Sequence, residues 1–132
     1  MFLGYLKTEV EKKAFLELAL AVARADKKIA MEESKILEAY ASEMELTLDM
    51  NIESASLDVS ISELNSKAAR MATYIELLSL ANADGDCCSE EMAIIQKVSD
   101  EFGISRELAE KCQVWVERIT SLYSEGYELI NG

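Results

Sequence analysis

Apolar residues along this chain recur at intervals of three and four, the period of helices that bury one face, and they do so in five blocks. The first opens on Thr8-Glu9-Val10-Glu11, a capping box in which the threonine hydroxyl and the third-position glutamate each satisfy a free backbone N–H. Ala14, Phe15, Leu18, Ala19, Val22 and Ala25 continue it as a stripe, predicting a helix that ends near Asp26-Lys27-Lys28. A second helix is expected from about Met31 to Glu45, with Ile36, Leu37, Tyr40 and Met44 facing inward. Residues 46–61 offer caps at Thr47, Asp49 and Ser56, compatible with a short helix, and an alternation at Leu57, Val59 and Ile61. A lone strand would have no partner, so the stretch reads as a connector.

The third block, Ser62 to Ala83, carries Leu64, Ala68, Met71, Ile75, Leu78 and Ala81 on one face behind a Ser60-x-x-Glu63 cap. The fourth runs from about Ser89 to Phe102 and stops at Gly103, the residue best suited to a left-handed exit. Ser105 caps the fifth, Arg106 to about Ser124, whose stripe of Leu108, Cys112, Trp115, Val116, Ile119 and Leu122 is expected to be buried. A tail from Gly126 to Gly132 follows. The pattern predicts an all-α bundle of about five main helices in a single domain, residues 1–132.

Composition sharpens this picture. There is no proline and there are five glycines in 132 residues, so little interrupts long helices. A net charge of −12 repels a phosphate backbone and argues against nucleic acid. It suits cations, a basic protein partner, or plain solubility. The charge is uneven: seven of the thirteen basic residues lie between Lys7 and Lys35, whereas residues 36–66 hold seven acids and no base. The apolar start, MFLGY, is too short for a secretory signal, and no later stretch is long enough to span a bilayer. Three cysteines, Cys87, Cys88 and Cys112, lack metal-ligand spacing, and adjacent cysteines seldom bridge, which points to a reducing cytoplasm.

An internal repeat emerges when residues 16–46 are laid on 74–104, an offset of 58. Eight of these 31 positions are identical: Leu20/Leu78, Ala23/Ala81, Ala25/Ala83, Asp26/Asp84, Glu32/Glu90, Glu33/Glu91, Ile36/Ile94 and Glu43/Glu101. What repeats is a small-residue helix end, an aspartate, and an acidic pair. The expected organisation is two pseudo-symmetric helix–acidic turn–helix units, about 9–46 and about 62–104, followed by the C-terminal helix at about 105–124.

The two turns read Ala25-Asp26-Lys27-Lys28-Ile29-Ala30-Met31-Glu32-Glu33 and Ala83-Asp84-Gly85-Asp86-Cys87-Cys88-Ser89-Glu90-Glu91. Over about residues 10–123 the chain resembles the tellurite-resistance TerB-like family, whose Asp-Gly-x-Ile-x-x-x-Glu pattern joins two helices. Lys27 stands in place of that glycine in the first turn, and Cys87 in place of the isoleucine in the second. The resemblance implies two related helix pairs, metal binding by the acidic residues, and a role in bacterial stress response beside membrane-associated partners. Related domains occur attached to other modules, including a membrane-anchored J-domain co-chaperone, which implies recognition rather than catalysis.

Hard cations need several oxygens in a small volume, and clustered carboxylates provide them. Asp84, Asp86, Glu90 and Glu91 lie within eight residues. With Glu91 at loop position 12, an EF-hand would need acids where Leu80 and Asn82 stand, so this is not one. A pooled set of Asp26, Glu33, Asp84, Asp86 and Glu91 would suit calcium, magnesium or manganese; with no histidine in the chain, imidazole sites are excluded. The competing reading is that these acids cap helices and favour their dipoles. A hydroxyl cap would sit three residues before Glu33 and Glu91, but Ala30 and Cys88 occupy those positions, so the capping box is incomplete in both.

Neighbouring carboxylates disfavour a thiolate at Cys87 or Cys88, while Cys112 and Trp115 read as core. Three function classes follow. The first is a non-enzymatic stress-response module with a divalent-cation site at the duplicated turns. The second is a metal-independent protein-interaction domain. An enzyme ranks last, since no nucleophile–base pair or phosphate loop is visible.

Overall fold

A computed structural model describes residues 2–25, 29, 31–47, 56–83 and 89–132. Among them all regular structure is helical: a 3-10 turn at Leu3–Tyr5, then α1 (Glu9–Arg24), α2 (Met31–Glu43), α3 (Leu57–Ser62), α4 (Lys67–Ala81), α5 (Ser89–Phe102) and α6 (Arg106–Asn131). No helix of the described residues is long and apolar enough to cross a membrane.

The centre of the fold is the packing of α1 on α4. Around this pair, α2 and α5 each lie against both central helices, α3 rests on α1 and α5, and α6 rests on α4. The local sequence explains each start. Thr8 accepts from the Glu11 N–H at 3.1 Å, and the Glu11 carboxylate accepts from the Thr8 N–H at 3.1 Å, so the predicted capping box forms. The expected stripe of α1 is buried from Ala14 to Val22, joined by Leu16, Leu20 and Ala23 because partners press on it from several sides.

The ends of α2 and α5 are closed in the same way. Glu45 and Gly103 have φ of 58° and 70°, and beyond them the Leu46 N–H donates to the Ala41 carbonyl at 2.8 Å and the Ile104 N–H to the Ser99 carbonyl at 3.0 Å. These are the six-to-one bonds of a left-handed helix exit. Glycine takes that conformation without strain, whereas a glutamate does so at a cost of about 1 kcal/mol.

Three expectations are corrected. Residues 57–62, read as connector, form α3: Ser56 caps it by accepting from the Asp58 N–H at 3.1 Å, and Ser60 donates to a Glu17 carboxylate oxygen at 2.7 Å. The Asp58–Lys97 pair at 2.9 Å ties the same short helix to α5. Ser60 therefore anchors α3 to α1 instead of capping α4, whose cap is Ser66, which accepts from the Ala69 N–H at 3.1 Å.

The second correction concerns the face of α4. Ala68, expected inside, is exposed, and Met71 and Ile75 are half-buried, while Ala69, Ala72, Thr73, Tyr74, Glu76, Leu77, Leu78, Leu80 and Ala81 are buried. A helix flanked on most sides has no single apolar stripe for a periodicity argument to find.

Third, α6 continues to Asn131, well past Ser124, and of its expected core stripe only Cys112 and Val116 are buried. Trp115, read as core, is 36% exposed and lies against Phe2 with ring centroids 5.6 Å apart. The reason is length. At 1.5 Å per residue α6 spans about 39 Å and its support α4 about 22 Å, so the far end of α6 outruns α4, and among the described residues those after Ile119, Gly126 apart, are exposed.

Two substitutions test this core by denaturant unfolding with an unchanged denaturant slope. Phe15, fully buried and edge-on to Tyr40 at 5.0 Å, loses about 3–5 kcal/mol of stability on Phe15→Ala. Thr73→Val has the opposite sign. The Thr73 hydroxyl is buried without a hydrogen-bond partner among the described residues, so a methyl in its place raises stability by about 1 kcal/mol.

Candidate functional site

The acidic turns lead into α2 and α5, which begin at Met31 and Ser89. The third residue of each helix is a glutamate, Glu33 and Glu91, and these are only 2% and 3% exposed. Residues around them are not protected in this way: Met31, Ser89 and Glu90 are all exposed, and the Ser89 hydroxyl turns to the Glu90 carboxylate at 3.3 Å. The sequence marked both positions as acidic, and the fold buries both, leaving Glu90 beside Glu91 exposed.

Burying a carboxylate is costly unless charge or hydrogen bonds compensate it. The first turn of a helix is where that cost is lowest, because unbonded N–H groups and the positive end of the dipole lie there. Since α2 and α5 both rest on α1 and α4, the two carboxylates are carried by elements that share one support.

Of the remaining residues of the expected cation set, Asp26, Asp84 and Asp86 lie outside the described residues, as do Lys27, Ala30, Cys87 and Cys88. Among the described residues, no three or more Asp, Glu, Cys or His side chains gather closely enough to hold a metal ion. Glu33 and Glu91 are thus the two members of that set whose positions can be read. Chemically each is an oxygen donor held away from water at a helix start, fit to cap its own helix or to meet a hard cation or a cationic group.

Two grooves lie elsewhere. One of about 580 Å³ runs between α4, α5 and α6 past Tyr74, Gln96, Asp100, Arg106 and Glu110. Another of about 390 Å³ lies between α1 and the end of α2, past Lys13, Leu16, Leu20 and Leu46. Neither of these two grooves is lined by Glu33 or Glu91.

A polar assembly that sequence reading missed sits at the middle of α4. Glu76 is buried, accepts from the Phe2 backbone N–H at 2.8 Å, and offers its own backbone carbonyl to the Tyr40 hydroxyl at 3.0 Å. One helix residue thereby fastens both the N-terminal segment and α2. The signal was present: Glu76 is the single charge between Arg70 and Asp84, set in an otherwise uncharged run. Burial, and then the charge of Glu76, push the Tyr40 phenol well above its usual value of 10.0.

No family model, curated protein or solved structure matches the chain.

The Tyr40 geometry sets an alkaline dependence. The folded state holds the neutral phenol, so its stabilisation is complete below the unfolded value near 10.0 and fades as pH rises through the higher folded value. Tyr40→Phe costs about 1 kcal/mol near pH 8 through the lost hydrogen bond. Above about pH 10 that deficit narrows, because the variant has no phenol to ionise. Thermal melts of the two proteins across this range check it; parallel curves would remove Tyr40 as the source.

Proposed function

We propose that the chain is a duplicated helical module of the TerB-like kind, acting without catalysis and binding a divalent cation at its two acidic turns. The observation that carries this reading is the shared placement of Glu33 and Glu91: third in their helices, buried, 58 residues apart, each seven residues after an aspartate. Burial at both copies sets these carboxylates apart from a solvated surface acid. The incomplete capping boxes, with Ala30 and Cys88 at the cap positions, favour the cation.

The same offset supports duplication in the first two helices of each half. The starts of α1 and α2 at Glu9 and Met31 correspond to those of α4 and α5 at Lys67 and Ser89, and the caps Thr8 and Ser66 correspond too. Glu45 and Gly103, the left-handed exits, are likewise 58 apart. So are buried pairs such as Phe15 and Thr73, Leu37 and Ile95, and Met44 and Phe102. Exchanging α1, α2 and α3 for α4, α5 and α6 carries the α1–α2 contact onto α4–α5, α1–α5 onto α2–α4, and α1–α3 onto α4–α6. These three correspondences support a pseudo-twofold axis, which would set the two acidic turns in equivalent surroundings.

The chemistry favours oxygen-seeking ions: calcium, magnesium or manganese. Asp26 and Asp84 would join Glu33 and Glu91 as ligands, with Asp86 adding charge in the second turn, while the Lys27 ammonium would weaken the first.

Calorimetric titration of the full chain with each of the three ions tests this, repeated on Asp84→Asn/Glu91→Gln. Wild type gives saturable heat and, at a hundredfold excess over the dissociation constant, gains about 2.7 kcal/mol of stability, a melting-temperature rise of about 10 °C. The double variant loses both effects. Equal heats from the two proteins would reduce the turns to helix capping.

A further inference from the structure

Beyond the acidic turns, the least accounted-for feature of the molecule is the outer side of α6. Its first half is anchored to the body through Cys112 and Val116, but Leu122 is 57% exposed and Leu129 85%. Tyr123, Tyr127 and Ile130 are exposed as well. Such an apolar surface on an otherwise charged molecule marks a contact.

The spacing along α6 identifies what kind. Leu108, Trp115, Leu122 and Leu129 recur every seven residues, and Cys112, Ile119 and Gly126 alternate with them at four and three. That is the heptad seam by which one helix packs on another of the same type. Beside the seam, Tyr123 and Ile130 widen it on the flank that Val116 anchors to the body, and Lys111, Arg118 and Glu125 line the other.

Gly126 and the charges select the partner and its direction. A glycine inside a helix is unfavourable and asks for a reason. The described residues supply none, since a side chain added at Gly126 would meet nothing within 4 Å. We propose that α6 pairs antiparallel with α6 of a second copy, about a twofold axis between Thr120 and Ser121. In that register Ile119 faces the partner's Leu122, and Trp115 faces the partner's Gly126, the one seam position with room for an indole. Arg118 comes opposite the partner's Glu125, and the exchange repeats by symmetry. A parallel pair would instead set Trp115 against its twin and leave a gap between two glycines.

The register also covers what the monomer leaves bare. Each projecting half of α6, from Ile119 onward, lies along the anchored half of the other copy's α6, over a shared length of about 24 Å from Trp115 to Ile130. Contacts of this extent belong to the smaller class of specific interfaces. A dissociation constant of about 1–100 µM is expected.

Sedimentation equilibrium of the full chain from about 1 to 500 µM at near-physiological salt reads this directly. Wild type passes from monomer to dimer across that range. Leu122→Glu weakens the dimer at least about a hundredfold, as does Leu129→Glu, with helical circular dichroism unchanged because both side chains are exposed. Arg118→Glu sets two glutamates across each symmetric contact and weakens it about tenfold, and Arg118→Glu/Glu125→Arg restores wild-type association. A wild type that stays monomeric throughout, or a dimer indifferent to Leu122→Glu and Leu129→Glu, overturns the proposal. A charge swap that fails to recover the loss overturns the antiparallel register.

Discussion

The close packing of α1 on α4 is the constraint on which the other elements depend. Both helices carry small side chains where they are most enclosed, Ala14, Ala19 and Ala23 on one and Ala69, Ala72 and Ala81 on the other, and all six are buried. Small residues let two helix axes approach closely, and the larger Phe15, Leu18, Leu77 and Leu80 are fully buried beside them, Phe15 edge-on to Tyr40 of α2. Helices α2 and α5 have no independent core. Each is amphipathic and short, so its position is whatever buries its inner face against that pair. The depth at which Glu33 and Glu91 sit is a consequence: a residue on the first turn goes inside or outside according to the rotation that Leu37 or Ile95, one turn further on, demands.

The parts of this arrangement legible in the sequence are those with one decisive local signal. Thr8 and Glu11 declare the start of α1, Gly103 the end of α5 and Ser105 the start of α6, because each satisfies or releases backbone groups that only a helix end leaves over. The equivalent exit at Glu45 carried no such mark, since its left-handed conformation is held by tertiary packing and the bond from Leu46 to Ala41. What failed were inferences from periodicity where the surroundings are not one-sided. The α4 stripe was misplaced because α4 is enclosed by α1, α2, α5, α6 and the N-terminal turn. Ser60-x-x-Glu63 had the letters of a cap, but Ser60 belongs to α3, and its hydroxyl is used by Glu17 from 43 residues away. A hydroxyl's partner is a tertiary fact.

The same distinction holds for the acids. Sequence spacing singled out Glu33 and Glu91, and the structure buries both, at a cost that a solvated surface acid does not carry. Glu76 went unremarked because it repeats nothing: the position 58 residues earlier is Leu18, fully buried. One of the two central helices thus buries a leucine where the other buries a carboxylate that holds Phe2. If the halves descend from one unit, this is where they have been specialised, with the second half taking on the N-terminal segment.

The third helices of the proposed halves diverge most, and the divergence has a geometric consequence. α3 and α6 rest on α1 and α4 respectively, yet α3 is six residues long and α6 twenty-six. The six residues of α3 suffice to cover α1 with Ser60 and Ile61, and on α6 two buried residues, Cys112 and Val116, do the equivalent work. Whatever more α6 contains is not needed to close this fold. A helix that outruns its support should turn polar on every side, because water is its only neighbour there. α6 does not: its apolar positions continue through Leu122 and Leu129 at the same heptad phase as the anchored half. A phase maintained past the point where the chain's own core ends is a pattern written for another surface.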